Sequence, residues 1–594
     1  MRRGHQLSPP STWARILPSV IGLLAVMPAM MPQTAVGSDA VSPAVLAAEK
    51  LRVETIAAAA KTAVSIFAGA SGGGSGVLIS PDGYALTNFH VVQPAGVAMQ
   101  CGLNDGRLYD AVLVGLDPTG DLAVIKLLGR DDFPAATLAD SDEVRVGDTC
   151  FVIGNPFLLA TNLQPSVSSG IVSGVHRYQF PAGTILEYAD CLQVDAAINP
   201  GNSGGGLFAA NGQLIGINGR ASFEKRGRIN VGVGYAISAN QVQNFLGVLK
   251  GGRLADHATL GATVATSLDG RVVVSDILES SDAWQRGLRI DDEVVALAGR
   301  PVRSVNGFKN VLGTLPAGWR VPLTYRRAGR PTEITVELAG VHTTAMLNDL
   351  VAGGRGQAPA RPGQQPEPPP NPLAPDPADL PEVIRPLYEP RVGFTNFHFN
   401  RIELARVIGH LATRSADRKS TAWTYQGSLA GGGRFEIELA DQSARISLPT
   451  GDSRWEPAVA AAGLPAEAGF DASPPGSGGM LAALTLWRRL LLDGSTDDGR
   501  MIYWGQQPQV NDDGTPGSLA DVLELTTTSG QARFLVDDTG GVVEVSFTLT
   551  PTAEPCQVRF SLPADGRPCW EPSKITVDYG GRPFATFLVE KHAS

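Results

Sequence analysis

In Asp195-Ala196-Ala197-Ile198-Asn199-Pro200-Gly201-Asn202-Ser203-Gly204-Gly205-Gly206 a single serine stands among glycines on a tight polar turn. A serine so placed exposes its hydroxyl, and the backbone N–H groups beside it can face a developing oxyanion. The hydroxyl is a weak nucleophile until a base takes its proton and a third group orients the base. Upstream lies a candidate for each role: His90 in Leu86-Thr87-Asn88-Phe89-His90-Val91-Val92, and Asp121 in Gly120-Asp121-Leu122-Ala123-Val124. Singly, each has a plainer reading, since an Asp between apolar runs is usually a turn residue and a Ser among glycines is usually loop. Order and company make them a set.

The surroundings of these three residues are short apolar runs separated by turn signals. Between Thr62 and Asn244 lie Val64-Ser65-Ile66-Phe67, Gly76-Val77-Leu78-Ile79, Ala111-Val112-Leu113-Val114, Leu122-Ala123-Val124-Ile125 and Phe151-Val152-Ile153. Ser80-Pro81-Asp82-Gly83 and Asn104-Asp105-Gly106 punctuate them, a pattern of all-β barrels or sandwiches rather than βαβ units. A helix over Gln241–Lys250 and a Gly251-Gly252 stop close this unit. From Leu254 to Gly340 a second, α/β unit follows, with strands near Val272-Val273-Val274 and Glu293–Leu297 and helices after Ser281 and near Asn306–Leu312.

Residues 341–381 then turn Pro-rich and are expected to form a linker, because few apolar side chains remain to bury. The last stretch, 382–594, has the look of an α+β domain with an antiparallel sheet. Helices are expected over Asn400–Leu411 and Met480–Leu492, and strands at Phe435–Leu439, Ala532–Val536 and Val542–Leu549. It carries no nucleophile motif, metal spacing or phosphate loop.

With 594 residues the chain exceeds one core, so three or four folded units are expected. A net charge of −10, with no basic stripe interleaved with aromatics, argues against a nucleic-acid partner. Arg2, Arg3 and Arg15 precede an apolar run from Ile16 to Pro32 and then small residues at Ala35, Gly37 and Ala40. This is the layout of a secretory signal peptide over 1–37, or of a single uncleaved anchor; Pro18, Pro28 and Pro32 favour the former. Five cysteines leave at least one without a disulfide. Cys556 and Cys569 could face each other across a hairpin, whereas Cys101, Cys150 and Cys191 read as buried thiols. No Cys/His spacing suits a metal, and no cofactor is indicated.

Six spaced motifs now combine: Gly74-Ser75-Gly76-Val77-Leu78-Ile79-Ser80-Pro81-Asp82-Gly83-Tyr84, the His90 and Asp121 segments, Ile153-Gly154-Asn155-Pro156-Phe157, Ser169-Gly170-Ile171-Val172-Ser173, and the Ser203 turn. Together they resemble the HtrA/Deg family of trypsin-like serine proteases, and residues 254–340 resemble the PDZ module that follows the protease there. The resemblance implies a chymotrypsin-like double β-barrel over 51–250 with its reacting residues between the barrels. It also implies ATP-independent cleavage of unfolded or exported proteins, a trimer-based homo-oligomer, and a periplasmic or cell-envelope location, membrane-anchored if the leader is retained.

On this reading Ser203 is the nucleophile, His90 the general base and Asp121 its orienter, with the amides of Gly201 and Ser203 as oxyanion donors. Ala197, six residues before the nucleophile, falls at the floor of the primary specificity pocket, with Ile198 beside it and the wall near Ile217 opposite. An apolar floor favours a small aliphatic residue before the scissile bond. In the PDZ-like unit Leu260-Gly261-Ala262 is where backbone amides would capture a peptide C-terminus; the alternative is a packing module with no ligand. Three departures stand out: Gly206 where Pro is usual, Phe89 where a small or polar residue often precedes the His, and a long Leu158–Ser168 loop. Ile290-Asp291 also replace a common Pro-Gly. Two rivals stand beside the endopeptidase: a chaperone or scaffold with proteolysis gated off, and a surface-binding module defined by residues 382–594 that carries a protease.

Overall fold

The computed structural model describes residues 41–68, 73–155, 162–179, 186–223, 230–351, 371–415, 422–441, 443–455, 473–494, 501–511, 515–527, 530–550, 553–562 and 568–593. The leader expected over 1–37 and part of the long loop after Leu158 lie outside them. Among the described residues no helix is long and apolar enough to cross a membrane.

After a helix over Pro43–Ala60, two closed six-stranded antiparallel barrels follow in sequence. The first is built from Ala63–Phe67, Gly73–Leu78, Tyr84–Thr87, Ala98–Leu103, Leu108–Asp117 and Leu122–Leu127. It closes where Ala63–Phe67 pairs with Ala98–Leu103. The second comprises Thr149–Gly154, Ser166–Gln179, Tyr188–Val194, Gly206–Ala209, Leu214–Phe223 and Asn230–Ser238. Closure removes every free edge, and the interiors fill with the short apolar runs: Val64, Ile66, Leu113 and Ile125 in one, Val152, Val172, Leu192 and Leu207 in the other. The helix Ala239–Lys250 starts at Ser238, whose hydroxyl accepts from the Gln241 amide, and ends at Gly251 with Gly252 at φ +67°.

The third unit is an antiparallel sheet in the order Ala262–Thr266, Val272–Ile277, Glu293–Leu297, Arg320–Arg327, Arg330–Glu337. Ala262–Thr266 is its edge. The helix Val305–Gly313 packs against the second barrel's strands Ser166–Gln179 and Tyr188–Val194. Asp291 sits at φ +69°, a left-handed conformation that Asp tolerates and that a Gly there would adopt without strain.

The final unit is an eleven-stranded antiparallel sheet curled around the helix Met480–Asp493. Met480, Leu481, Leu484, Trp487, Leu490 and Leu491 are all buried, so the helix is wrapped on several faces rather than laid on one. The strands alternate as their sequence does. Trp423 and Tyr425 point inward from Ala422–Leu429, and Phe435, Ile437 and Leu439 from Arg434–Ala440, while Glu436 and Glu438 face outward. Trp487 stacks on Phe560 with ring centroids 4.3 Å apart. No disulfide joins Cys556 and Cys569, both of which are buried. The strand register places Tyr579, not Cys569, opposite Cys556, and Cys569 lies in the connection beyond the far end of that strand pair.

This last unit is fastened to the others at close range. A β-carbon at Gly247 would meet Gln506 N at 2.8 Å, and one at Gly505 would meet Val248 N at 3.2 Å, so the helix Ala239–Lys250 and the strand Met501–Val510 approach backbone to backbone. Trp504, Val522 and Leu535 join the apolar core of the third unit, and Arg320 pairs with Glu544 in the interior. The Pro-rich stretch is held at its described ends: Thr344–Val351 is a helix with Leu347 buried, Leu373 inserts into the core of the first barrel, and Leu380 joins the apolar cluster shared by both barrels and the helix Ala239–Lys250. A few anchoring leucines suffice there, because Pro-rich backbone has little conformational entropy to lose on docking.

Candidate functional site

His90 lies in the short helical turn Phe89–Val92 that follows the strand Tyr84–Thr87, and Asp121 immediately precedes the strand Leu122–Leu127 paired with it. Asp121 occupies φ +59°, set up by an Asx turn in which Asp117 Oδ1 accepts from the amides of Thr119 (3.2 Å) and Gly120 (2.8 Å). The Asp121 carboxylate, completely buried, accepts from His90 N at 3.1 Å and contacts His90 Nδ1 at 2.8 Å through Oδ2 and 2.9 Å through Oδ1. This fixes the ring with Nδ1–H toward the carboxylate and Nε2 available as a base. The other face of the ring system is open, with the His90 side chain 40% exposed. Partial burial disfavours the imidazolium, but Asp121 outweighs it by charge and hydrogen bond and raises the His90 pKa above its ordinary value.

A third donor to Asp121 is absent from the sequence reading. Tyr188, on the strand Tyr188–Val194, gives its phenolic proton to Asp121 Oδ2 at 2.5 Å and is 2% exposed. Its ring fills the space at Gly219, where a β-carbon would lie 2.5 Å from Tyr188 Cε1. The one signal available was an aromatic in a strand-like run, which reads as core.

Ser203 sits on the loop between Tyr188–Val194 and Gly206–Ala209. Asn199-Pro200-Gly201-Asn202 forms a turn closed by Asn202 N to Asn199 O (2.9 Å), with Pro at its second position and Gly201 at φ +99° at its third. These are the features of a type II turn. The amides of Gly201 and Ser203 donate to no acceptor among the described residues. Ser75 of the first barrel staples this loop: its N–H donates to Ser203 O (2.9 Å) and its hydroxyl to Gly201 O (2.6 Å), while Asn155 N donates back to Ser75 Oγ (2.9 Å). Gly204, at φ +84°, has Ser75 O 2.2 Å and Thr87 Oγ1 2.3 Å from any β-carbon it might carry, so only glycine permits the barrels to meet here.

The Ser203 hydroxyl donates to Gly219 O at 3.2 Å, and no hydrogen bond links it to His90. The structure thus brings the three residues to the barrel junction with the base and carboxylate paired and the hydroxyl on a neighbouring carbonyl. Ala197 is exposed, whereas Ile198 and Ile217 are buried in barrel cores, Ile198 against Gly234. Gly206 begins a strand in which a β-carbon would strike the Phe208 ring at 2.4 Å, and Phe89 is a buried packing residue at 3% exposure. Neither replaces a reacting group.

In the third unit Gly261 takes φ +69° beside Ser281, whose Cβ would lie 2.6 Å from a β-carbon there. Its amide is held by Thr259 Oγ1 at 3.1 Å, and its carbonyl accepts from Leu278 N at 2.8 Å. Leu260 is buried and Ala262 opens the edge strand. The sequence around His176, after Gly174-Val175, reads as a loop with a solvent-facing imidazole; the side chain is indeed exposed, but the residue sits at φ +53° in the strand Ser166–Gln179 with Nδ1 2.8 Å from Asp190 Oδ1. Arg300 and Asn310 of the third unit hold the same pair, by Arg300 to Asp190 Oδ2 (2.9 Å) and Asn310 Nδ2 to His176 O (2.7 Å). Asp142, His176 and Asp190 come together as possible metal ligands, but Arg300 already supplies the cation.

Residues 74–217 match the family described as trypsin-like peptidase domain, and 258–338 match PDZ domain. The periplasmic serine endoprotease DegP of Escherichia coli K12 is 38% identical over 277 residues, covering 45% of this chain and 56% of the relative. A probable periplasmic serine endoprotease, DegP-like, of Chlamydia trachomatis is 36% identical over 282 residues, covering 46% and 54%. The chain therefore spans about half the length of the curated relatives it matches. Among solved structures, the HtrA-type protease AlgW with tripeptide aligns over 49% of this chain and 98% of that one at 31% identity, with a TM-score of 0.41.

Proposed function

Because the chain belongs to the HtrA/Deg family of trypsin-like proteases with a PDZ domain, we propose that it works as an exported, periplasmic or envelope-located serine endopeptidase that cleaves unfolded proteins without ATP. The supporting observation is the His90–Asp121 pair, braced by Tyr188 and set beside a serine turn whose Gly201 and Ser203 amides are unspent.

In this mechanism Ser203 Oγ leaves the Gly219 carbonyl by a rotation about its Cα–Cβ bond and hydrogen-bonds His90 Nε2 as substrate arrives. Such bonds commonly tighten only in the complex. Ser203 attacks the scissile carbonyl while His90 takes its proton, and the Gly201 and Ser203 amides hold the oxyanion. His90 then protonates the leaving amine, giving an acyl-enzyme that water hydrolyses through the same base. Asp121 stabilises the imidazolium at each stage. The exposed Ala197 at the pocket floor, backed from the core by the buried Ile198 and Ile217, favours Val or Ala before the cut. The edge strand Ala262–Thr266, reached through Leu260-Gly261-Ala262, is suited to take a substrate C-terminus as an added strand. A trimer-based homo-oligomer completes the proposal.

One observation favours the gated-scaffold reading, namely the resting Ser203–Gly219 bond. Degradation of unfolded casein by the mature protein beside Ser203→Ala separates the two. Cleavage that disappears in the variant supports the endopeptidase, and cleavage by neither supports the scaffold.

A further inference from the structure

The turn that carries Asp121 is held from outside its own barrel. Asp117, fully buried, opens that turn, and both its carboxylate oxygens meet His257 Nε2, Oδ2 at 2.9 Å and Oδ1 at 3.0 Å. His257 is 3% exposed and lies just before the two-residue strand Ala258–Thr259 at the base of the PDZ domain. The Phe245 ring of the helix Ala239–Lys250 packs on it with centroids 4.5 Å apart.

Both ends of the PDZ domain converge on this point. His257 O accepts from Val341 N at 3.0 Å, and Ala258 pairs with Gly340. Asp256 binds the His342 amide and ring Nδ1, each at 2.8 Å. On the barrel side, Leu116 N donates to Arg253 O and Ala255 N to Leu116 O, so the chain entering the PDZ domain is hydrogen-bonded to the end of the strand leading into the Asp117 turn.

The fit admits no slack. A β-carbon at Gly120, the residue before Asp121, would lie 2.3 Å from Asp117 Oδ2 and 2.7 Å from His257 Nε2. The His257 ring therefore presses on the backbone that sets the Asp121 direction. Burial opposes a charge on His257, but Asp117 outweighs it and raises its pKa, with Glu187 and Asp256 as the other acidic groups facing it.

We propose that His257 is a positioning residue for the protease site: from the base of the PDZ domain it holds Asp117, and through Asp117 the turn that aims Asp121 at His90. This rests on the endopeptidase reading. It makes the PDZ base part of the catalytic scaffold.

The test compares full-length wild type, His257→Leu, His257→Gln and Asp117→Asn on a fluorogenic peptide across pH, with Ser203→Ala alongside. His257→Leu removes the donor, whereas Gln keeps an N–H near the Nε2 position. The expected result for His257→Leu is a fall in kcat of roughly tenfold, of the order that a small misplacement of a catalytic group costs, with KM nearly unchanged. The acid limb of kcat/KM should move to lower pH, because a loosened Asp121 supports the His90 imidazolium less. His257→Gln should recover most of both, and Asp117→Asn should resemble the leucine variant. Should the leucine variant not fold, the glutamine and asparagine variants still report kcat and the pH limb. A fall in thermal stability with kcat and pH limb unchanged would overturn the proposal, as would Gln and Leu variants equally impaired. Cleavage that persists in Ser203→Ala would overturn the endopeptidase reading itself.

Discussion

Replacing Tyr188 by Phe deletes one oxygen and leaves the ring that fills the space at Gly219. Asp121 then keeps His90 N at 3.1 Å and His90 Nδ1 at 2.8 Å but loses its 2.5 Å phenol donor, with no solvent to replace it. A hydrogen bond to a charged group contributes about 1.5–3 kcal/mol, and stability should fall by this amount. In a domain of this size that lowers Tm by roughly 3–12 °C, at 2–4 °C per kcal/mol. The rate should fall less. Asp121 is an anion in both ground and transition states, so only the part of the bond that strengthens when His90 becomes charged is lost from the barrier. A fall in kcat of about 3–10-fold corresponds to roughly 0.7–1.4 kcal/mol. Thermal unfolding and kcat/KM on a fluorogenic peptide measure both quantities on the same sample. Unchanged stability and rate would refute the Tyr188–Asp121 bond, and a rate loss of about 10³ or more would make Tyr188 a reacting group rather than a brace.

Other consequences follow from the same contacts. The wild-type pH profile of kcat/KM should rise through a limb above the ordinary His value, since the base acts only when neutral and Asp121 raises its pKa; Asp121→Asn should move that limb down and slow the reaction sharply, as pH-rate measurement would show. Gly206→Pro, which restores the residue usual in the family, should destabilise the second barrel by about 1–3 kcal/mol through overpacking against Phe208. Adding Phe208→Ala should relieve that clash but create a cavity, so a double-mutant cycle will show favourable coupling. In the last domain, Trp487→Ala should cost about 3–5 kcal/mol by urea unfolding, because its ring is fully buried against Phe560. A peptide library should show Val or Ala favoured over Lys before the cut, and a profile dominated by Lys or Arg would remove Ala197, with Ile198 behind it, as the pocket floor.

The fold was legible wherever local pattern carries it. Short apolar runs with Gly and Asp-Gly turns give the two barrels, and alternation as in Arg434–Ala440 gives the last sheet. The pairing of His90 with Asp121 is suggested by chain order, and each residue lies within a recognisable stretch. What the sequence hid are contacts between distant positions. Tyr188 reaches Asp121 across 67 residues and His257 reaches Asp117 across 140, and neither aromatic carries a local mark separating a hydrogen-bonded brace from ordinary core. The seating of the last domain was hidden for a related reason: Gly247 and Gly505 look like weak points in a helix and a strand until their backbones are seen in contact. The Ser203 rotamer is likewise a tertiary property, set by where Gly219 places its carbonyl.

The most direct measurement is covalent labelling of the mature protein with a fluorophosphonate, located by mass spectrometry of the digested chain. A nucleophile activated by His90 should carry a single phosphonyl adduct on Ser203, lost in His90→Ala and in Ser203→Ala together with casein degradation. Casein degradation that continues at full rate in Ser203→Ala, or an adduct on another residue with Ser203 untouched, would contradict the assignment.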